Sequence, residues 1–170
     1  MKYVLIVVLC TVAVAYVAAT AVKECPNNKN GLSYPDLADR VSLHNCTKAP
    51  CRARKDSFQK VEYKFTPGKL ETFNKDYKNL HTRVTAEILG TALPFPGVDG
   101  QSACPNLYEE DKTTKVKDCE VKAGKNYYYK NGFEVLRIYP RIKTNAHWEL
   151  YEPKTSRNIM CFEFLVRITN

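Results

Sequence analysis

The sequence predicts an all-β protein, an antiparallel β-sandwich of about seven or eight strands. Three observations predict it. Runs of apolar and polar residues alternate with period two, the pattern of strands with one buried face. Glycine, proline and asparagine clusters separate those runs. Few segments keep helical periodicity.

The first run is Val61, Tyr63 and Phe65, alternating with Glu62 and Lys64. Thr66-Pro67-Gly68 closes it as a turn. Thr82, Val84, Ala86 and Ile88 alternate with Arg83, Thr85 and Glu87. Pro94-Phe95-Pro96-Gly97 and Asp99-Gly100 follow as turn signals. Gln101 to Val121 is the most polar stretch and reads as a long surface loop held by Cys104 and Cys119. Tyr127 and Tyr129 flank Tyr128, and Asn131-Gly132 then predicts a hairpin turn, since both residues tolerate positive φ. Ile142, Thr144, Ala146, Trp148 and Leu150 share one face of the next strand. After Glu152-Pro153, the last strand puts Phe162, Phe164, Val166 and Ile168 on one face, with Cys161, Glu163, Leu165 and Arg167 on the other. A face that apolar must cover a core or an apolar ligand.

Residues 1–21 read as a secretory signal peptide. Lys2 gives a positive start, Val4 to Val17 is almost wholly apolar, and Ala19-Thr20-Ala21 fits a small-x-small cleavage site. The apolar run is shorter than the roughly 20 residues a spanning helix needs. Residues 22–170 are then one domain. Of the seven cysteines, Cys10 leaves with the signal. Cys25, Cys46, Cys51, Cys104, Cys119 and Cys161 remain, an even set that reads as three disulfides in a secreted chain. Spacing does not fix the pairing, although Cys46 and Cys51 would close a small loop around Pro50. No Cys-x-x-Cys or Cys/His knuckle predicts a metal. The net charge of +8 favours anionic membranes, acidic glycans or acidic proteins, and otherwise serves solubility. Without a block of five or six basic residues, a secreted chain gives no reason to expect nucleic acid.

Nothing points to catalysis or to a cofactor. His44, His81 and His147 lack metalloprotease spacing, and His147 falls on the polar face of its strand. There is no Gly-x-Ser-x-Gly elbow, and paired cysteines leave no thiol nucleophile. Asn45-Cys46-Thr47 is an N-glycosylation sequon. Phe95 sits between two prolines, which belong at sheet edges. It reads either as the rim of an opening or as a cap over the core.

The cysteine order and several motifs carry a resemblance. They are Cys46-Thr47-Lys48-Ala49-Pro50-Cys51, Gly90 with Leu93-Pro94-Phe95-Pro96, Tyr127-Tyr128-Tyr129, Val135 through Tyr139-Pro140, Trp148-Glu149-Leu150 and Cys161-Phe162-Glu163. The chain resembles the ML family of secreted lipid-recognition domains, most closely its Niemann-Pick type C protein 2 (epididymal secretory protein) branch of sterol carriers. The resemblance implies an immunoglobulin-like sandwich with an apolar ligand cavity between splayed sheets. It implies the pairs Cys25–Cys161, Cys46–Cys51 and Cys104–Cys119. It places Phe95, Val135 and Tyr139 at the mouth. Deeper walls would come from Val61, Tyr63, Leu93, Tyr129, Ile142 and Thr144, and from Ala146, Trp148, Leu150, Phe162, Phe164 and Val166. Thr144 and Ala146 are smaller than their vertebrate counterparts, which implies a reshaped pocket.

The function expected on this basis is a secreted, non-enzymatic carrier of a sterol, fatty acid or other small apolar lipid. The chain would be a monomer acting in extracellular fluid or the endolysosomal lumen. An anionic membrane surface or a lipid-accepting membrane protein would be its further partner. Recognition of microbial glycolipids by the same cavity in innate immunity is the alternative. Presentation of lipid to a hydrolase is a third reading.

Overall fold

The computed structural model describes residues 22–26, 28, 31–68 and 75–170. The expected signal peptide lies outside the described residues. The early strands are β1 (Val22–Glu24), β2 (Val41–Leu43), β3 (Cys51–Arg54) and β4 (Ser57–Phe65). Next come β5 (Tyr77–Lys78), β6 (His81–Ile88), β7 (Thr91–Pro94), β8 (Leu107–Tyr108) and β9 (Glu120–Val121). The long strands β10 (Tyr127–Val135), β11 (Lys143–Glu152) and β12 (Arg157–Thr169) follow. One short helix, α1 (Leu37–Arg40), precedes β2.

These strands build an immunoglobulin-like sandwich. One sheet runs β1-β12-β11-β6-β7, and the other runs β2-β4-β10-β8. The pairs within them are antiparallel, except that β3 adds to the far end of β12 in parallel. A small β5-β9 ribbon sits apart. The alternation sets the faces. Phe162, Phe164 and Val166 of β12 and Ala146, Trp148 and Leu150 of β11 turn inward from the first sheet. Val61, Tyr63 and Phe65 of β4 and Tyr127 and Tyr129 of β10 turn inward from the second. All of these are buried, and together they form the core. Its aromatic centre is packed ring on ring, with Tyr63 stacked on Tyr129 at 5.0 Å and edge-on to Phe162 at 5.4 Å.

Asn131-Gly132 corrects the turn reading. Both residues lie inside β10, opposite Val61 and Lys60 of β4. A Cβ on Gly132 would fall 2.1 Å from the Gln59 carbonyl oxygen. The glycine is there because two backbones meet closely, not because the chain reverses. The polar stretch from Gln101 to Val121 is also less exposed than its composition predicts. Ala103, Leu107, Val116 and Val121 are buried along it.

Three disulfides fasten the chain. Cys25 is joined to Cys161, so that β1 is bonded to the middle of β12 (Cα–Cα 5.6 Å). Cys46–Cys51 links the segment after β2 to the start of β3, and Cys104–Cys119 closes the polar stretch. Tyr34 ties the two layers without a covalent bond. Its hydroxyl lies 3.0 Å from the Ile159 carbonyl of β12 and accepts the Thr66 N–H just past β4 at 3.2 Å.

Candidate functional site

At one end of the sandwich the inner face of the first sheet meets the loops that follow β7 and β10. Pro94-Phe95-Pro96-Gly97 cannot continue a ladder, so the chain turns inward there. The turn is held against β6. The Phe95 N–H donates to the Val84 carbonyl at 2.8 Å, and the Asp99 carboxylate accepts the Val84 N–H at 2.8 Å. Thr82 Oγ1 donates to the Val98 carbonyl at 2.7 Å. Gly97, at φ +79°, supplies the left-handed step that the turn requires. The Phe95 ring is thereby laid 4.6 Å from Phe133 and edge-on to Tyr139 at 6.2 Å.

These residues bound an apolar groove of about 250 Å³. Its floor is Ala86, Ile88, Thr144 and Ile168, from β6, β11 and β12, and its walls are Leu93 to Pro96 with Tyr139 and Pro140. Leu93 is 44% exposed at the lip. Thr144 buries its hydroxyl by donating it to the Glu87 carbonyl, which keeps the floor free of an orphan polar atom. The groove is lined by apolar side chains with the hydroxyls of Tyr139 and Thr144 as its polar groups, a lining that can enclose an apolar molecule.

Of the residues singled out from sequence, Leu93, Phe95, Tyr139 and Thr144 come together here. Val135 is buried nearby at the end of β10, and Ile142 is partly buried against the core. Val61, Phe164 and Val166 border a separate void of about 10 Å³, at the limit for one water. Tyr63, Tyr129, Ala146, Trp148, Leu150 and Phe162 pack as closed core behind the groove. Tyr63 has Trp148 as its side-chain hydrogen-bonding neighbour there, and burial pushes the Tyr63 pKa up. The Tyr129 hydroxyl accepts Asn131 Nδ2 at 2.8 Å and burial pushes its pKa up to about 12. Ala86, Ile88 and Ile168 stood on the recognised apolar faces, but alternation does not say how far along a strand an opening lies.

The titratable cluster is on the opposite, outer face of the first sheet. His147 Nε2 lies 2.8 Å from Glu149 and Nδ1 lies 3.2 Å from Glu163. Arg83 grips Glu149 at 2.5 Å and Lys23 reaches Glu163 at 3.3 Å. The hydrogen bond to Glu149, helped by Glu163, raises the His147 pKa against the cost of burial. Burial raises the Glu149 pKa, but His147 and Arg83 outweigh it and the net direction is down. Cys25 and Cys161 lie beside His147, but their sulfurs are bonded to each other and offer no thiolate to a metal.

Residues 19–168 match the model of the ML domain family. The chain belongs to that family. Among curated relatives, it is 25% identical to the NPC intracellular cholesterol transporter 2 of Bos taurus over 160 residues, 93% of this chain and 96% of that protein. It is also 25% identical to the NPC intracellular cholesterol transporter 2 homolog a of Drosophila melanogaster, covering 95% of this chain and 96% of that protein. A crystal structure of a Niemann-Pick type C2 protein from Japanese carpenter ant superposes with a TM-score of 0.62 at 22% identity, covering 86% of this chain and 98% of that one. This ML domain therefore sits with the Niemann-Pick type C2 branch, and the ant protein shares its fold.

Proposed function

We propose that this ML domain is a non-enzymatic carrier of one small apolar lipid, a sterol or a molecule of similar size, held between its sheets. The apolar groove beside Phe95 supports the reading, because its lining from β6, β7, β11, β12 and the loop after β10 suits an apolar guest. The names of the cow and fruit-fly relatives, both cholesterol transporters, support it. In this reading residues 1–21 are removed on secretion and residues 22–170 work outside the cell or in the endolysosomal lumen.

The mechanism is burial. Covering about 400 Å² of apolar ligand is worth roughly 10 kcal/mol gross. Lost translational and rotational freedom takes at least about 4 kcal/mol of this, and the roughly 6 kcal/mol left corresponds to an affinity of tens of micromolar before any polar contact is added. The resting groove, at about 250 Å³, is smaller than the roughly 300–1,000 Å³ usual for ligand sites. A sterol-sized guest therefore has to part the rings behind it.

The test combines native mass spectrometry of the secreted protein with displacement of a fluorescent sterol. A bound lipid or saturable displacement is expected. Ala86→Phe on the groove floor should weaken binding at least about tenfold while the thermal melt stays cooperative. Leu93→Glu, at the exposed lip, should weaken binding without touching the core. The carrier reading fails if no lipid accompanies the protein and neither sterol nor fatty acid displaces the probe.

A further inference from the structure

A second concave surface lies on the outside of the sandwich around the β3–β4 turn. One open groove of about 760 Å³ is lined by Arg54, Lys55, Asp56, Ser57, Arg137 and Asn170. An adjoining one of about 420 Å³ shares Arg54 and Ser57 with it and adds Arg52, Phe58 and Gln59. The two meet at Arg54 and Ser57, and the basic concave surface they form is called the trough below. Its walls are fixed by the fold. Cys51 and Ala53 of β3 point inward, so Arg52 and Arg54 must point out. The Lys55 N–H donates to the Thr169 carbonyl and the Asp56 N–H to the Val135 carbonyl, both at 2.8 Å, so the turn is bonded to both sheets.

Among the described residues, the cations in the trough outnumber the side-chain carboxylates, of which its lining holds Asp56 alone. Among the described residues, no carboxylate pairs with Arg54 or Lys55. Arg52 reaches only the Thr169 hydroxyl, at 3.3 Å. Arg137 stands 4.0 Å from Asp56 with both side chains exposed, a pairing that holds weakly. The excess continues onto the sheet. Arg52 is in register with Arg167, and Arg167 with Lys143, so three exposed cations lie side by side across β3, β12 and β11. Like charges directly opposed destabilise a sheet. Elsewhere the same chain neutralises its lysines, as in Lys64–Glu110, Lys112–Glu62 and Lys122–Asp76. Beside these cations, Phe58 is 51% exposed.

We propose that this trough binds an extended oligosaccharide carrying sulfate or phosphate groups. Guanidinium forks grip such oxyanions with paired hydrogen bonds. The exposed Phe58 offers an apolar surface to a sugar face; Gln59 Nε2 donates to Ser57 Oγ at 3.0 Å, which leaves the Gln59 carbonyl oxygen to accept from a sugar hydroxyl. The concavity separates this ligand from a bilayer, because a flat headgroup surface cannot follow the floor of a trough. The site lies outside the sandwich and stands independently of the lipid reading. Asn45 borders one end, so a glycan on its sequon would cover that end. Thr47→Ala removes the sequon and leaves the trough intact.

The experiment is calorimetric titration of full-length secreted protein carrying Thr47→Ala with a heparin-derived hexasaccharide at physiological salt. Saturable binding is expected. Arg54→Ala with Arg137→Ala should weaken it at least about tenfold, because two charge-assisted contacts are lost. Phe58→Ala should weaken it by a smaller factor. Lys78→Ala with Lys154→Ala removes the same charge from elsewhere on the surface and should change little. The fully desulfated hexasaccharide should not bind, and sterol displacement should be unaltered throughout. Equal losses from the two double variants would overturn the proposal, since general charge would then explain the binding. So would Arg54-dependent capture of phosphatidylcholine–phosphatidylglycerol vesicles by protein that ignores the hexasaccharide.

Discussion

Replacing Cys25 and Cys161 together with alanine measures what covalent closure of the fold contributes. The bridge spans a sequence separation of 136. On the chain-entropy account, closing a loop of that length in the denatured chain is worth about 5 kcal/mol. The other bridges barely shorten it. Their separations are 5 and 15, and the dependence on length is logarithmic. The same account gives about 2 kcal/mol for Cys46–Cys51 and about 3 kcal/mol for Cys104–Cys119. For a domain of this size a loss of about 5 kcal/mol lowers Tm by roughly 10–20 °C. Guanidinium titration of the oxidised double variant checks the figure. The slope against denaturant should steepen as well, because the freed denatured chain exposes more surface. A loss below about 1 kcal/mol with an unchanged slope would refute the reasoning, because the bridge would then not restrain the denatured chain.

Three further outcomes are expected. Gly132→Ala should cost at least about 3 kcal/mol, since the new Cβ meets the Gln59 backbone at 2.1 Å, and a thermal melt within a few degrees of wild type would contradict this. Stability should peak between about pH 5 and pH 6.5. The raised pKa of His147 stabilises fully below its ordinary 6.5 and stops doing so as pH climbs through the folded value. The lowered pKa of Glu149 stabilises above its ordinary 4.5 and stops doing so as pH falls through the folded value. In His147→Gln the decline on the alkaline side should flatten, and urea titrations from pH 4 to pH 9 show whether it does. Tyr34→Phe should cost about 1–2 kcal/mol because its hydroxyl is bonded to both layers, whereas Tyr77→Phe, which removes an unpartnered hydroxyl, should be close to neutral. Equal costs for the two substitutions would count against this hydrogen-bond assignment.

The strands β11 and β12 were legible because one face of each is buried over most of its length. Phe162 to Ile168 and Thr144 to Leu150 alternate as the structure alternates. The three-residue strands β1 and β2 and the four-residue β3 are too short to show a period. Asn131-Gly132 misled because positive φ is only one use of glycine, and close backbone approach is another that local sequence does not display. The groove was half legible. Proline on both sides of Phe95 marked a place where the ladder must stop. Ile88, Thr144 and Ile168 become its floor because three strands end in line, a matter of register that no single strand carries. The basic surface was legible only in part. Arg52, Arg54 and Lys55 stand together in the sequence, but Arg137, and the Arg167 and Lys143 that continue the charge across the sheet, join them only through the fold.

The sandwich is stiff along one flank and compliant along the other. Cys46–Cys51 bolts the second sheet to the first at β3, and the adjoining β3–β4 turn is bonded to Thr169 and Val135 at once. That flank behaves as a hinge pin. On the far side β7 is exposed throughout and is held in its sheet by β6 alone. On the carrier reading proposed above, parting of the layers would fall on β7, as a jaw opens at its tip and not at its joint. The largest guest would then be set by the travel of that edge and not by the space present when it is shut.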